Sequence, residues 1–496
     1  MSVILGIDLG TSSVTAMLLD SVKGVISVES SPYEVSIPFE GYAEQNPETW
    51  WLETKQVLGR LRDKNEQEFN EIQAVGFSGQ MHGIVVADCE GKPLRPAILW
   101  LDQRSRKELE SINSVLDFRE MGEIFRNRAF TGFAFPSLMW LKEHEPEVLL
   151  KAGVVLMPKE DSRFRMTGNL ASDVTDASAT ALFDTAKRDW AFGIIKKFGL
   201  PEEIFPVCKE SMEVAGTVTR QCHEECGLKE GIPVVYGSGD QMAQSIGNGV
   251  FREGEVISNI GTGGQISAYI KEAKYDRELR THTFCHALDK AYTIYGATLC
   301  SGMSLNWLKN KVLGIEDFNS MSHMAQEIDP GCRGLIFLPY LSGERTPHMN
   351  PSAKGMFFGL SLCQDRRYLT RAVMEGVTFS LRDSLTIFEE LGIQCETVIA
   401  SGGGSHSDVW LQIQADVFNK KVKVCEVDEQ ACLGACILAG TGCGIFNSIE
   451  EAAHRFVSFR EKVYEPIPEH VGLYEKQYRV FRELYVANDK FLLMRR

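Results

Sequence analysis

No long apolar run occurs in this chain. None of its 496 residues lies in a stretch near the ~20 apolar residues that a membrane-spanning helix needs. No excess of positive charge exists either. There are 52 Lys and Arg against 67 Asp and Glu, a net charge of −15, which argues against a nucleic-acid surface or an anionic membrane as partner. A nucleotide is not excluded, because one pocket can be lined by amides inside an acidic protein. Paired metal-ligand spacing is absent too. Cys222-His223-Glu224-Glu225-Cys226 has no second pair nearby, so a zinc site is not expected there. The 13 cysteines are scattered and odd in number, which predicts reduced, mostly buried thiols in a cytoplasm. Met1-Ser2 leads straight into a strand that ends in Asp8, so no signal peptide is expected. There is no low-complexity segment. The remainder is globular in balance, 44% hydrophobic and 24% charged. Its length fits about three domains, or two large α/β domains.

What is present is a repeated device. Val3-Ile4-Leu5-Gly6-Ile7-Asp8 is a short β-branched run leading to Gly10-Thr11-Ser12-Ser13 and then to apolar Val14–Leu19. This predicts a strand, a tight turn and a return strand. Gly10 permits close backbone approach, and the neighbouring hydroxyls and N–H groups can bind phosphate oxygens. Asp8, at the strand end, can hold Mg²⁺ directly or through water. Val256–Ile260 repeats the pattern. It runs into Gly261-Thr262-Gly263-Gly264, with Gln265–Ile270 as the return strand. Two such units predict a duplicated architecture that grips one phosphate chain from both sides.

Further signals lie between and beyond them. Asn46-Pro47-Glu48 predicts a helix start. Ile72–Phe77 predicts a buried strand ending in Ser78-Gly79-Gln80-Met81-His82-Gly83, and the mouth of a strand is where α/β proteins place ligand contacts. Val234–Gly239 leads to Asp240-Gln241. A hydroxyl is a poor nucleophile, and a carboxylate in reach can take its proton as it attacks a phosphate. Ser301–Trp307 begins a helix. Val398–Ala400 meets Ser401-Gly402-Gly403-Gly404-Ser405, and Leu369–Leu391, Asp408–Phe418 and Tyr474–Leu492 predict helices. Leu433-Gly434-Ala435-Cys436 is expected to pack closely against a cleft.

Asp8-Leu9-Gly10-Thr11 and Gly261-Thr262-Gly263 are similar to the two phosphate motifs of the actin/hexokinase/Hsp70 superfamily, and the whole chain resembles its FGGY sugar kinases. Gly79-Gln80-Met81-His82-Gly83 and Leu341-Ser342-Gly343-Glu344-Arg345-Thr346-Pro347 resemble the xylulokinase branch. The resemblance implies an α/β fold of two actin-like (ribonuclease H-like) domains with a central cleft. We expect residues 1–247 to carry the sugar site and first phosphate loop, and 248–496 the nucleotide site. It further implies Mg²⁺-dependent transfer from ATP to D-xylulose in a cytoplasmic enzyme. Asp240 is the expected base, and Asp8 supports the phosphates. Gln80, Met81, His82 and Gln241 are expected on the sugar. Gly10, Thr11, Ser12, Gly261, Thr262 and Gly263 are expected on phosphate, with Gly402, Gly403 and Gly404 on adenosine. Sugar and ATP are the expected partners, with neither nucleic acid nor membrane, and a homodimer is kept open. Two departures bear on the substrate. Ser137 stands where the family often has Lys, and Gln241 where xylulokinases usually have Asn. They keep open a sibling kinase for ribulose, sedoheptulose or glycerol. A non-catalytic sugar and nucleotide sensor is the alternative of another class.

Overall fold

The protein, studied as a computed structural model, is described over residues 2–493; Met1 and 494–496, inside the sequence-based domain bounds, lie outside the described residues. Two sheets organise it. The first contains β1 (Val3–Leu9), β2 (Ser13–Asp20), β3 (Gly24–Pro32), β4 (Ile72–Gly79), β5 (Val214–Thr217), β6 (Pro233–Val235) and β7 (Ser238–Gly239). Its spatial order is β5-β6-β4-β1-β2-β3, with β7 also beside β4. The second contains β8 (Gly254–Ile260), β9 (Gly264–Ile270), β10 (His282–Cys285), β11 (Tyr292–Thr298), β12 (Cys395–Ser401) and β13 (Lys421–Val424). Its order is β10-β11-β9-β8-β12-β13. β1 runs antiparallel to β2 and parallel to β4; β8 runs antiparallel to β9 and parallel to β12. Both strand–turn–strand units therefore exist, each at the centre of its own sheet.

Helices cover both faces, which is why the central strands read as nearly continuous apolar runs. The helices used below are α1 (Pro47–Lys64), α2 (Pro158–Thr167), α3 (Asp240–Gly247), α4 (Gly302–Trp307), α5 (Arg366–Glu390), α6 (Asp408–Phe418), α7 (Gln430–Gly442) and α8 (Pro468–Leu493). α1 starts as its sequence demands: the Asn46 side chain accepts the Glu48 N–H at 3.1 Å, with Pro47 in the first turn. Side chains of a strand alternate between faces. Val3, Leu5, Ile7 and Leu9 of β1 accordingly join one core with Trp50, Leu58 and Leu61 of α1. Ile4 joins a different core on the opposite face, with Met17, Ala74, Cys432, Leu433 and Cys436.

α7 departs from expectation. Its small residues do not face a cleft; they let it lie on the first sheet. A Cβ on Gly76 would stand 2.1 Å from the Ala435 carbonyl oxygen, and one on Gly434 would stand 1.9 Å from that of Ala243. Each contact sets a glycine against an alanine carbonyl, Gly76 of β4 against Ala435 of α7 and Gly434 of α7 against Ala243 of α3. A helix from the last part of the chain thus covers the floor of the first lobe.

Candidate active site

Three strand ends of the first sheet are brought level. Asp8 pairs in register with Ser78, and Ser238 pairs with Ser78 from the other side. Their loops leave together at the carboxyl edge, the edge where such sheets bind ligands. They are the Gly10–Ser13 turn, the Gln80–Gly83 loop and the start of α3 at Asp240. In the second sheet Asn259 is level with Ser401, so Gly261 and Gly402 emerge side by side.

Side chains tie the first turn down. The Gly10 N–H donates to the Ser13 carbonyl at 2.9 Å, and the Tyr33 hydroxyl donates to the Gly10 carbonyl at 2.6 Å. Gln45 donates to the Thr11 carbonyl at 2.7 Å, and the Trp100 indole donates to the Thr11 hydroxyl oxygen at 2.9 Å. Trp100 is thus a loop anchor as well as a packing residue. Gln80 belongs to this scaffold and not to the sugar wall. Its side chain is buried and donates to Gln45 Oε1 at 3.1 Å, which also accepts the Trp50 indole N–H at 3.0 Å. The predicted sugar contact from Gln80 is corrected on that ground. Ser137 is also buried, in the helix Ala134–His144 and away from the cleft wall.

Two carboxyl groups face the space between the lobes. Burial pushes the Asp8 carboxyl up to about 6, against the Ser78 hydroxyl that donates to it at 2.6 Å; Glu429 adds to the rise. Burial pushes Asp240 up to about 7, and the charge of Asp8 adds to it, while hydrogen bonds from Gln241 oppose it. No Lys or Arg among the described residues neutralises either one. Two hard oxygen donors with no cation of their own fit a divalent metal such as Mg²⁺. Behind them runs a buried relay. The Gly239 N–H, next to Asp240, donates to Thr175 Oγ1 at 2.8 Å; the Thr175 hydroxyl donates to Asp173, and Asp173 pairs with Lys159 of α2.

A cavity of about 440 Å³ joins these groups, with Thr11, Met81, His82, Asp240, Gln241 and Thr262 in its wall. His82 has φ +73° and stacks on Phe133 at 4.0 Å. Its Nδ1 lies 2.8 Å from the Ala179 carbonyl oxygen, which can only accept. Nδ1 therefore carries the proton and Nε2 is an acceptor. Burial pushes the imidazole down to about 4, opposed by that bond and assisted by the charge of Arg345, so the ring is neutral at pH 7.

A second cavity of about 610 Å³ adjoins the first, sharing Gly261, Thr262 and Met303 with it. Leu305, Phe318, Met374 and Trp410 make it apolar, and Gly403 and Gly404 form its rim. A Cβ on Gly403 would meet nothing nearer than 3.7 Å and would stand in open space. The other two glycines are required by the protein itself and not by a ligand. Gly402 has φ +70° and its Cβ would stand 2.3 Å from Asn259 Oδ1, while that of Gly404 would press on Ile260 at 2.7 Å. The Gly261 carbonyl accepts the Gly302 N–H at 2.9 Å, which fixes the second turn to the start of α4. Ser12 is exposed beside the first turn and outside both cavity walls. Sequence reasoning gave no role to His282, Tyr295 or Arg345, which complete the cleft wall from the second lobe. Only Arg345, inside a quoted segment, carried a local signal.

This arrangement is matched by known proteins. Models of the FGGY family of carbohydrate kinases match residues 3–247 with their N-terminal domain and 257–443 with their C-terminal domain. The chain belongs to the FGGY family. It is a carbohydrate kinase with two actin-like domains about a central cleft. The kinase is 37% identical to the xylulose kinase of Lactococcus lactis over 98% of this chain and 97% of that one. It is 28% identical to the gluconokinase of Bacillus subtilis over 99% of this chain and 96% of that one. A crystal structure described as a xylulose kinase from Brucella ovis superposes with a TM-score of 0.94 at 32% identity, covering 99% of this kinase and 100% of that chain. Among the described residues no helix is long and apolar enough to cross a membrane.

Proposed function

We propose that this kinase transfers the γ-phosphate of ATP to D-xylulose, yielding D-xylulose 5-phosphate. One observation carries the proposal. The Met81-His82 loop and Asp240 share the wall of a cavity that runs through Gly261-Thr262 into the apolar one, and Asp8 lies close enough behind to raise Asp240 by its charge. The ketose lies against Met81, His82 and Gln241. Asp240 takes the proton of the attacking hydroxyl, and a carboxylate raised to about 7 is a stronger base than an ordinary one at neutral pH. Gly10 and Thr11 from one side and Gly261, Thr262 and Gly263 from the other hold the phosphates. The apolar cavity takes adenosine, with Gly403 leaving room for it. Asp8 holds Mg²⁺, which when bound neutralises charge on the phosphates. Residues 1–247 and 248–496 are the proposed domains, with α7 crossing back onto the first. A cytoplasmic location fits the thirteen free cysteines.

Gln241 supports a second reading, a sibling kinase for another ketose or polyol. ADP release in Mg²⁺-ATP across D-xylulose, L-xylulose, D-ribulose, L-ribulose, sedoheptulose, glycerol and gluconate separates the two. D-Xylulose is expected to give the highest kcat/KM. A higher value for another acceptor would transfer the assignment to that sugar.

A further inference from the structure

The cleft has two chemically opposite ends. The carboxylate of Asp240, with Asp8 behind it, occupies one. Arg345, His82 and His282 occupy the other, and Tyr295 lies between them, feeling the charge of both Asp240 and Arg345. Arg345 is half-buried in the cavity wall and differs from the arginines that are paired inside the protein. Arg104 pairs with Asp102 at 2.8 Å, and Arg371 with Glu375 at 2.8 Å. The guanidinium of Arg345 meets no carboxylate and no hydrogen-bond acceptor among the described residues, and its neighbour is the Phe130 ring, 5.4 Å away. Glu344 does not serve it. One Glu344 oxygen accepts the backbone N–H groups of Leu299 at 2.8 Å and Arg345 at 2.7 Å, and the other accepts the Ser380 hydroxyl at 3.3 Å. The loop is thereby pinned while the side chain is left facing the cavity. Arg128 adds positive charge behind His282, and burial together with these charges holds His282 well below its ordinary range.

A half-buried guanidinium with no ion pair of its own, set in a cavity wall, is free to donate to any ligand oxygen that can accept from it. Arg is donor-only. His82 offers an acceptor at Nε2, suited to a sugar hydroxyl. We infer that Arg345 forms a donor-only subsite for the oxidised end of the sugar, taking the ketose carbonyl oxygen and, more tightly, the carboxylate of an aldonic acid. This rests on the sugar-kinase reading and deepens it. The end of the acceptor remote from the transferred phosphate is selected by oxidation level, and a five-carbon aldonate is a high-affinity ligand of the same cleft.

Calorimetric binding of D-xylonate and of xylitol to the whole protein, with Mg²⁺ and a non-hydrolysable ATP analogue, tests this without assuming the substrate. The two probes share chain length and differ at the terminal carbon. D-Xylonate is expected to bind at least about tenfold more tightly, the scale of one charge-assisted bidentate contact. Arg345→Gln is expected to make the two equal, with affinity for the ATP analogue retained as evidence of folding. Arg345→Lys, which keeps the charge and loses the fork, is expected to retain part of the preference. D-Xylonate binding no tighter than xylitol in the unaltered protein would overturn the inference, as would a preference that survives Arg345→Gln. Failure of D-xylulose turnover with the preference intact would instead count against the proposed substrate alone.

Discussion

Asp8 and Asn259 hold the same place in two copies of one design. Each ends a central strand before a Gly-Thr turn, each is antiparallel to its return strand, and each lies level with a serine, Ser78 or Ser401, on the parallel neighbour. One is an acid and the other its neutral amide. Ser78 donates to Asp8 at 2.6 Å, whereas the Asn259 amide reaches Gln265 at 3.5 Å. The duplication therefore repeats the grip on phosphate without repeating the charge. On the proposed reading both carboxylates, Asp8 and Asp240, come from the first lobe, and the second supplies amides, backbone and an arginine. A symmetric site would place extra negative charge against an anionic ligand. The asymmetry avoids that repulsion while leaving one side able to hold metal and take a proton.

That contrast can be broken from either side. The largest effect is expected for Asp240→Asn, which should lower kcat about 10²–10⁴-fold in ADP-release assays by removing the base. The same variant should raise Tm, because a carboxyl whose folded value is lifted to about 7 is destabilising when charged. The stability gain should be present at pH 8 and fade as pH falls through about 7, where the native acid takes up its proton; a variant merely misfolded would show a lower Tm at every pH. Asp8→Asn makes the first turn a copy of the second. It should cost roughly 10²-fold in kcat, the scale of losing one electrostatic stabiliser, and raise the Mg²⁺ concentration needed for half-maximal rate. The first lobe's acidity should also show in the unaltered enzyme: kcat/KM for the sugar should rise with pH through about 7 and flatten above it. The smallest change is expected for Asn259→Asp, which copies the first turn into the second. One added like charge should raise the KM for ATP about tenfold, with kcat for the sugar little altered.

The parts of this site that were legible in the sequence are local. β-Branched runs meeting Gly-Thr gave both turns, and strand ends meeting Asp gave Asp8 and Asp240 near the cleft. Gln80 misled because its fate depends on Gln45, which lies far back in the chain, is held by the Trp50 indole and accepts from the Gln80 amide. The Gly402–Gly404 run announced a tight turn, but glycine looks the same whether its missing Cβ makes room for a ligand or for Asn259 and Ile260. Lys159 follows Pro158 at the start of α2, and only the fold surrounds it with Asp173 and Asp176. Arg345 resisted detection for the converse reason. An unpaired cation is defined by what is missing around it in space, and no spacing along the chain encodes that.

The position of α7 bears on the order in which the protein can be made. Ile4, Met17 and Ala74 belong to strands near the start of the chain, yet their face is sealed by Cys432, Leu433 and Cys436. During synthesis from the N-terminus, the floor beneath Asp8 stays open until residue 442 has left the ribosome. An early-folded first half would present that apolar face to solvent, the kind of surface on which nascent chains misassemble. The segment carrying Asp8 is thus translated long before the face beneath it is covered.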